Sequence, residues 1–287
     1  MVSNTDKKID VDHLKTRDLE LFNALWEGRF CTVRQASQYI WTHKNSCNKR
    51  LRQLEESGYI RRQKDIDLRD TIIRPTKDAL DALFECRPDL QKSSLSSWKW
   101  AQLNTRKINF CFHEAQVNEI RFRLIEACQA RTDITLLGCC SGTQAQECFS
   151  TNGSQRRLRP DRRLELEVSY SCKPQIFYVE VDCGTKPIRR RRGWDVVTQL
   201  LRYQHYYLSE SPPPFRVLIL CSSNKRVDNI LNTLDSEADK HPLGALMRAY
   251  TEWDLFMANP LGEIWIPECA PMENYSIVDE WPNWPTF

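Results

Sequence analysis

The amino-acid sequence predicts an α/β fold, α+β overall, arranged as two domains. The chain has 287 residues, enough for two ordinary domains, and its content of 41% hydrophobic and 28% charged residues is typical of globular proteins. Helical periodicity and two short strands fill residues 1–86, whereas residues 105–266 alternate amphipathic helices with apolar strands. The Ser-rich stretch 87–104 interrupts this periodicity and is predicted to be a linker. Residues 267–287 form an acidic tail that is rich in Trp and Pro.

Composition and charge exclude several classes of protein. No segment approaches the roughly 18 uninterrupted apolar residues of a membrane span, and the polar N-terminus lacks the apolar core of a secretory signal. The 12 cysteines are scattered and include no Cys-x-x-Cys pair, so reduced thiols in the cytoplasm are expected rather than disulfides or zinc. The net charge of +3 is uneven: residues 1–100 carry +4, residues 101–208 carry +6 and residues 209–287 carry −7. A polyanion is therefore the expected partner of the first two-thirds of the chain.

The first two helices are predicted from their capping residues. Thr16 is placed to cap the first helix, and Gly28 is placed to end it. The apolar side chains that this helix is expected to turn inward are Leu19, Phe22, Leu25 and Trp26. Thr32 followed by Gln35 is a capping-box pattern, which predicts a short second helix.

The third predicted helix has one apolar stripe and one polar face. Cys47, Leu51 and Leu54 follow each other at helical spacing, and Gly58 provides a stop signal. The polar face carries long amide and cationic side chains, namely Lys44, Asn45, Asn48, Lys49 and Arg52. Such side chains suit the base edges and phosphates of DNA.

Two short strands around a polar turn follow between residues 59 and 76, and Thr76 is placed to cap a fourth helix. Three helices, a β-ribbon and a further helix form the pattern of a winged helix-turn-helix. In that fold the third helix enters the major groove of double-stranded DNA, and the wing touches the backbone. Arg61, Arg62 and Lys64 in the first wing strand favour this interpretation. The alternative is a winged helix that contacts proteins and has a merely solvated polar face.

The second domain is predicted to contain a mixed sheet. A long amphipathic helix over residues 106–130 precedes an apolar strand over residues 134–140. Residues 158–168 and 175–182 flank a turn and indicate an antiparallel hairpin. The remaining predicted elements are a helix, a strand, a helix and a short strand, over residues 194–208, 215–221, 225–238 and 263–267. This order predicts an α/β domain.

Acidic residues at the ends of the two hairpin strands resemble the PD-(D/E)XK arrangement of restriction-endonuclease-like domains. Asp161 lies early in one strand, and Glu180 lies late in the next. Carboxylates at such strand ends hold a Mg²⁺ (or Mn²⁺) ion, which activates water and stabilises charge on the attacked phosphate. Asp182 shares a strand face with Glu180 because strand side chains alternate, and is a third candidate metal ligand. Glu114 on the preceding helix is a candidate further catalytic carboxylate.

The position at which such nucleases carry a lysine is occupied by Asp182. Some families with this fold move the lysine to the following helix, but this sequence has Gln199 there, which leaves Arg202 or Lys186 as a substitute. Two alternatives to a working nuclease follow. The fold has lost catalysis, or the carboxylates merely pair with neighbouring arginines of the hairpin, which are Arg159, Arg162 and Arg163.

Several motifs along the chain resemble the replication-relaxation family of plasmids and mobile elements. These are HEAQVNEIRFRL, RPD, VEVDCGT, QLLRYQHYY and WDLFMANPLGEIWI, within roughly residues 16–266. The family signature E-x-D-x-G-T is matched by Glu180, Asp182, Gly184 and Thr185. Gln199 stands where the family usually has a lysine in its K-L-x-x-Y helix. The resemblance implies a winged helix joined to a PD-(D/E)XK-like domain, in a bacterial cytoplasmic protein that acts in DNA replication, relaxation or mobilisation.

Four consecutive arginines lie between the third strand and the next helix, at the rim of the predicted acidic site: Arg189, Arg190, Arg191 and Arg192. Phosphate contact is their expected use, because four adjacent guanidinium groups point in several directions and are not all satisfied internally. The alternative is a solvated loop.

The sequence therefore predicts a DNA-binding protein of a plasmid or other mobile element, with metal-dependent DNA endonuclease activity as an open question. The alternative function is that of a non-catalytic regulator or assembly factor, which recruits a replication, relaxase or transposase partner. A third hypothesis is an end-cleaving nuclease subunit of a transposase, although such subunits usually have the two domains in the reverse order. Whether the chain forms a homodimer stays open.

Overall fold

The structure is a computed structural model in which the chain divides into two compact units, residues 1–119 and 120–287. The described residues are 13–66, 68–92, 111–142, 144–151, 153–189, 195–209, 212–237, 248–268 and 273–278. The division falls inside the helix Cys111–Gln129, whereas the sequence placed a linker at 87–104. Within that stretch Pro88–Lys92 forms a 3-10 helix, and the residues after it lie outside the described part of the chain.

The first unit combines helices with a small antiparallel sheet. Its elements are α1 (Thr16–Gly28), β1 (Cys31–Thr32), α2 (Val33–Gln35, continued as a π-helical turn over Ala36–Ile40), α3 (Lys44–Glu56), β2 (Ile60–Asp65), β3 (Asp70–Pro75) and α4 (Lys77–Cys86). The strands lie in the order β1-β3-β2 and are antiparallel throughout. The four predicted helices and the predicted hairpin are therefore present, and β1 adds a short strand that the sequence did not indicate.

Helix α1 begins differently from the prediction. Thr16 is its first residue and not its cap, because Lys15 occupies the cap position. The carboxylate of Asp18 accepts a hydrogen bond from the Lys15 backbone N–H at 2.8 Å. The buried face is also rotated relative to the prediction, since Leu21 is fully buried whereas Leu19 is only half-buried.

The other predicted caps are confirmed. Thr32 Oγ1 accepts a hydrogen bond from the Gln35 backbone N–H at 3.1 Å, and Gln35 Oε1 accepts one from the Thr32 N–H at 3.0 Å. Thr76 Oγ1 accepts from the Ala79 N–H at 3.4 Å and so caps α4. These side chains satisfy backbone N–H groups that the first turn of a helix leaves without an internal partner.

The second unit is built on a six-stranded mixed sheet. With α5 (Cys111–Gln129), which starts before the division, its elements are β4 (Ile134–Cys140), β5 (Glu147–Thr151), β6 (Ser154–Leu158), β7 (Arg162–Val168), β8 (Gln175–Asp182), α6 (Val196–Tyr207), β9 (Phe215–Cys221), α7 (Asn224–Glu237), β10 (Arg248–Glu252), α8 (Trp253–Ala258) and β11 (Ile266–Pro267). The strand order is β11-β10-β9-β8-β7-β4. Strands β8, β9 and β10 are parallel, and the other pairs are antiparallel, as expected for the predicted mixed sheet.

The strands differ from the prediction in two places. The strand predicted over residues 158–168 is divided at Pro160, so that β6 ends at Leu158 and β7 begins at Arg162. Proline has no backbone N–H to donate to a strand ladder, which explains the break. Strands β5 and β6 form a separate two-stranded hairpin, and β10 extends the main sheet beyond β9. The sequence indicated neither β5 nor β10.

Helices α6 and α7 supply much of the apolar core of this unit. Leu200 and Tyr203 of α6 and Ile230 of α7 are buried in one cluster with Tyr178 of β8 and Phe215 of β9. The rings of Tyr178 and Phe215 meet edge to face, with their centroids 4.9 Å apart. This packing fixes α6 over the end of β8, where the predicted acidic residues lie. No described helix is long and apolar enough to cross a membrane.

Part of the predicted tail belongs to the folded unit. Tyr275 pairs with Trp265 in an isolated β-bridge, and Ile277 is fully buried. The guanidinium group of Arg216 donates a hydrogen bond to the Ile277 carbonyl at 2.7 Å. Residues 273–278 therefore pack into the unit, and residues 279–287 lie outside the described part of the chain.

Candidate functional site

Helix α3 presents a positively charged outer face. Its apolar stripe of Cys47, Leu51 and Leu54 is buried as predicted. The residues of this helix that are predicted to contact DNA are exposed, except for the half-buried Asn48; they are Lys44, Asn45, Asn48, Lys49 and Arg52. The three cations among them form no ion pair with any residue that the structure describes. Their charge is therefore available to a partner.

A fourth cation of α3 has a structural role instead. Arg50 Nη2 lies 2.6 Å from Asp18 Oδ2, and its Nε lies 2.9 Å from Oδ1. Asp18 is fully buried in α1, and the hydrogen bond to it raises the pKa of Arg50. The pair joins α3 to α1. Arg50 therefore holds the helix in place, whereas Lys44, Lys49 and Arg52 are exposed to solvent.

The hairpin β2–β3 carries further positive charge beside α3. Arg61 and Lys64 of β2 are exposed, and their contact with DNA stays a prediction. Arg62 differs because its guanidinium donates to Glu55 of α3 at 2.6 and 2.8 Å, while its backbone N–H donates to the same carboxylate at 3.0 Å. Arg62 thus joins β2 to α3, and its contact with DNA stays a prediction. Ile66 at the hairpin tip is 90% exposed.

In the second unit, five side chains form what we term the acidic cluster: Asp161, Glu180, Lys186, Gln199 and Tyr203. Asp161 immediately precedes β7, and Glu180 lies near the end of β8. Because the two strands are antiparallel with Arg162 opposite Val179, the start of β7 lies beside the end of β8. Asp161 Oδ2 accepts a hydrogen bond from the Val181 backbone N–H at 2.8 Å, which ties it to β8.

Helix α6 directs two hydrogen-bonding groups at Glu180. Gln199 and Tyr203 are four residues apart, so they lie on the same face of the helix. The Tyr203 hydroxyl donates to Glu180 Oε1, and the side chain of Gln199 also hydrogen-bonds to Glu180. The sequence interpretation treated Gln199 only as the absence of a lysine and missed Tyr203. Their spacing puts them on one face of a predicted helix, but it does not show that this face meets Glu180.

Burial dominates the electrostatics of Glu180, which is 7% exposed. Burial, and then the negative charge of Asp161, raise the pKa of Glu180 well above its usual range. Hydrogen bonds from Tyr203 and Gln199 and the charge of Lys186 act in the opposite direction. The pKa of Tyr203 is raised as well, first by its own burial and then by Glu180. The cluster therefore favours a neutral Glu180.

Lys186, on the loop after β8, brings a positive charge to this cluster. Its Nζ donates a hydrogen bond to Gln199 Oε1, and its charge acts on the pKa of Glu180. Lys186 was one of two candidates to substitute for the missing lysine, and Arg202 was the other. Lys186 is the one whose charge reaches the Glu180 carboxyl.

Asp182 is held by a different partner, Arg226 of α7. Arg226 Nε donates to Asp182 Oδ2 at 2.7 Å, and the Gly184 backbone N–H donates to Oδ1 at 2.9 Å. Arg226 Nη2 also donates to the Lys186 carbonyl. The ion pair fixes the loop that carries Lys186. The role of Asp182 as a metal ligand stays a prediction, and the ion pair disfavours it.

Two members of the acidic cluster, Asp161 and Glu180, are carboxylates of the kind that could hold a metal ion. Among the described residues, no three His, Cys, Asp or Glu side chains are arranged to hold a metal ion. Asp161 and Glu180 are two carboxylates in electrostatic contact. Mg²⁺ commonly keeps several waters and uses one or two carboxylates together with substrate phosphates. Glu114 lies in the first unit, 4.0 Å from Arg29, and its role as a further carboxylate stays a prediction.

Two groups of arginines were predicted to lie near the acidic cluster, and the structure describes only some of them. Arg189 is exposed, and Arg190, Arg191 and Arg192 lie outside the described residues. The three arginines of the hairpin that were expected to pair with the carboxylates have other contacts: Arg159 with Gln146 Oε1 at 3.1 Å, Arg162 with the Cys139 carbonyl at 3.4 Å, and Arg163 with Glu165 Oε2 at 3.0 Å.

Comparison with known proteins gives one assignment. A family model described as replication-relaxation matches residues 22–214, which is well over half of the chain. No curated protein and no solved structure gives a match. The matched region includes helix α3 and the whole acidic cluster. The chain therefore belongs to the replication-relaxation family, and this membership indicates a role in the replication or relaxation of plasmid or mobile-element DNA.

Proposed function

We propose that this protein binds double-stranded DNA of a plasmid or other mobile element during its replication, relaxation or mobilisation. In this proposal the first unit is a winged helix whose helix α3 enters the major groove. The observation that carries it is the outer face of α3, where Lys44, Lys49 and Arg52 are exposed and form no ion pair with described residues. The remaining cation of the helix, Arg50, is already neutralised by Asp18.

The side chains on this face suit both parts of a DNA site. Lysine and arginine contact phosphates and guanine edges, and asparagine pairs with adenine. The major groove is about 12 Å wide and admits one helix. In a winged helix the hairpin β2–β3 is the wing, and its exposed Arg61 and Lys64 have the charge that a backbone contact requires. Phosphate contacts give affinity, while Asn45 and Asn48 are the residues placed to read bases.

The double variant Lys49→Gln/Arg52→Gln tests this placement. We expect weaker binding to a labelled random-sequence duplex, and a salt slope reduced by about 1.8, since each lost phosphate contact removes roughly 0.9. Fluorescence anisotropy between 50 and 200 mM salt measures both. Lys77→Gln/Arg87→Gln removes the same charge from two cations that have acidic partners, and should bind like the wild type. Unchanged binding by Lys49→Gln/Arg52→Gln would overturn the role of α3.

Metal-dependent DNA cleavage by a PD-(D/E)XK-like second unit is a second candidate function, and the position of Lys186 favours it. Asp161 and Glu180 would hold a Mg²⁺ or Mn²⁺ ion, which would supply activation of water and stabilisation of charge on the phosphate. Lys186, held by Gln199, supplies the ammonium group that a nuclease of this kind uses near the attacked phosphate. Tyr203 fixes the orientation of the Glu180 carboxyl.

A non-catalytic DNA-binding regulator or assembly factor is the alternative, and two observations favour it. Glu180 is almost fully buried with a raised pKa, whereas a metal ligand must be ionised. Asp182, the other acid of this strand, is engaged with Arg226. Such a protein would recruit a replication, relaxase or transposase partner to the DNA.

Nicking of supercoiled plasmid DNA in Mg²⁺ or Mn²⁺ separates the two functions. For a nuclease we expect nicking by the wild type and its loss in Asp161→Asn and Lys186→Gln, with DNA binding retained. Lys173→Gln removes an exposed charge from the β7–β8 turn, at the opposite strand ends, and serves as the control. If the wild-type protein binds the plasmid but leaves it intact with both metals, the nuclease function is excluded and the non-catalytic function is kept.

A further inference from the structure

We infer that the hairpin β5–β6 of the second unit is a contact surface for the phosphate backbone of DNA, through Arg156 and Arg157. The inference deepens the proposed function and rests on it, because the partner is the same double-stranded DNA. The sequence indicated no hairpin at this place, and neither arginine belongs to the acidic cluster.

The hairpin is anchored in the core by two buried apolar side chains, while the rest of strand β6 is exposed. Phe149 of β5 and Leu158 of β6 are buried in the core, and the ring of Phe149 lies 5.5 Å from that of Tyr206 in α6. Residues 154–157 of β6 are exposed. Gly153 in the connecting turn has φ of 74°, the left-handed conformation that two-residue hairpin turns require. The hairpin therefore presents a strand of fixed geometry to a partner.

Positive charge accumulates on this exposed strand and beside it. Arg156 and Arg157 form no ion pair with any residue in the described part of the chain. Burial, and then the charge of Arg156, lower the pKa of Arg202 on the neighbouring helix α6, so two guanidinium groups lie within electrostatic range of each other. An anion that lies between these two groups lowers the repulsion between them. A guanidinium group binds phosphate strongly, through two parallel hydrogen bonds.

The hairpin lies next to the acidic cluster. Glu147 at its base accepts a hydrogen bond from the Tyr178 hydroxyl at 2.8 Å, and Tyr178 precedes Glu180 by two residues on the same face of β8. Five residue steps separate Arg156 from Asp161, so their Cα atoms are at most about 17 Å apart, which is the length of about five base pairs. A duplex whose backbone lies on the hairpin can therefore extend over the cluster.

The partner follows from this chemistry. Neighbouring residues of a strand point to opposite faces, so Arg156 and Arg157 carry their guanidinium groups on the two sides of the exposed strand β6. DNA offers both groups a repeating anion, because it carries phosphates at regular intervals along its backbone. Contacts to phosphate carry no direct sequence information, so the hairpin should contribute equally to every duplex sequence. A surface of this kind positions the DNA and leaves the choice of site to other residues.

The test is the double variant Arg156→Gln/Arg157→Gln in the full chain, with a labelled random-sequence duplex and EDTA. We expect the salt slope to fall by about 1.8, at roughly 0.9 for each phosphate contact. The wild type binds more weakly at 200 mM than at 50 mM salt by a certain factor. For the variant this factor should be roughly tenfold smaller. Arg156→Lys/Arg157→Lys keeps the charge and should retain most of the slope. Lys173→Gln, at the other end of β7 and β8, should bind like the wild type.

The outcomes separate the inference from the proposed function. If Arg156→Gln/Arg157→Gln keeps the wild-type slope while Lys49→Gln/Arg52→Gln loses part of it, the hairpin inference is overturned and DNA binding by α3 stands. An equal loss of slope in the lysine variant, with the thermal unfolding midpoint lowered in both hairpin variants, would assign the effect to the folding of the hairpin and would also overturn the inference. If the wild type does not bind duplex DNA, the proposed function fails, and the inference fails with it.

Discussion

Replacing Glu180 by Gln should change how the stability of the protein depends on pH. Burial first, and the charge of Asp161 second, raise the pKa of Glu180 well above its ordinary value of 4.5. Between pH 4.5 and the raised folded-state pKa, the unfolded chain releases a proton that the folded chain keeps. The stability contributed by this group is therefore complete below pH 4.5 and is lost as the pH rises, by about 1.4 kcal/mol for each pH unit.

A glutamine at this position has nearly the same shape and still accepts the hydrogen bond from Tyr203, but it does not titrate. The free energy of unfolding of Glu180→Gln should therefore increase relative to the wild type by about 1.4 kcal/mol per unit, from pH 5 until the folded-state pKa is reached. Urea unfolding of both proteins at several pH values, in a chelator so that no cation competes with the proton, measures this difference. Glu263→Gln replaces an exposed glutamate of the same unit and is the matched control.

Parallel pH profiles of the wild type and Glu180→Gln would refute the reasoning, because they would show that Glu180 ionises equally in the folded and unfolded states. Asp161→Asn provides a second check. Since the charge of Asp161 is the second cause of the shift, its removal should lower the pH at which the loss of stability ends.

Two further predictions concern the first unit. Asp18→Ala leaves Arg50 without its carboxylate and removes the acceptor of the Lys15 N–H. The free energy of unfolding, measured in urea, should fall by about 3 kcal/mol. This is the lower end of the range for a buried pair, because Arg50 is 20% exposed. A cost below about 1 kcal/mol, the level of an exposed pair, would contradict it. Gly28→Ala should cost about 1–3 kcal/mol, since the new Cβ would lie 2.3 Å from Asn118 Oδ1 and that amide holds the Gly28 carbonyl. Combination with Asn118→Ala should be less than additive, and strict additivity would show that the two residues do not meet.

Local sequence signals were sufficient where an element is determined by its own residues. The capping box at Thr32 and Gln35 is an example, because each side chain satisfies the backbone of the other. The hairpin β5–β6 was not predicted, because of its strand residues only Phe149 and Leu158 pack into the core and no alternating pattern arises. The Asn-Gly pair that ends at Gly153 was the signal available, since this dipeptide favours a two-residue turn.

Of the acidic cluster, the sequence predicted only the two carboxylates that the strands β7 and β8 bring together. The hairpin pattern placed Asp161 beside Glu180, because antiparallel strands bring the start of one next to the end of the other. The contributions of Tyr203 and Lys186 depend on how α6 and the loop after β8 pack, which periodicity does not specify. The pairing of Asp182 with an arginine 44 residues later is more remote still, and nothing in the local sequence indicates it.

That arginine, Arg226, links the acid on the strand to the lysine on the loop. It neutralises Asp182 and, with its other nitrogen, holds the carbonyl of Lys186. The acid that stands where a nuclease lysine was expected therefore adds no free negative charge to the cluster, and it helps to fix the loop from which Lys186 reaches Gln199. The raised pKa of Glu180 and the positive charge of Lys186 both reduce the net negative charge of the cluster. A cluster with less negative charge repels a phosphate backbone less, which the proposed DNA-binding function requires if the duplex lies over it.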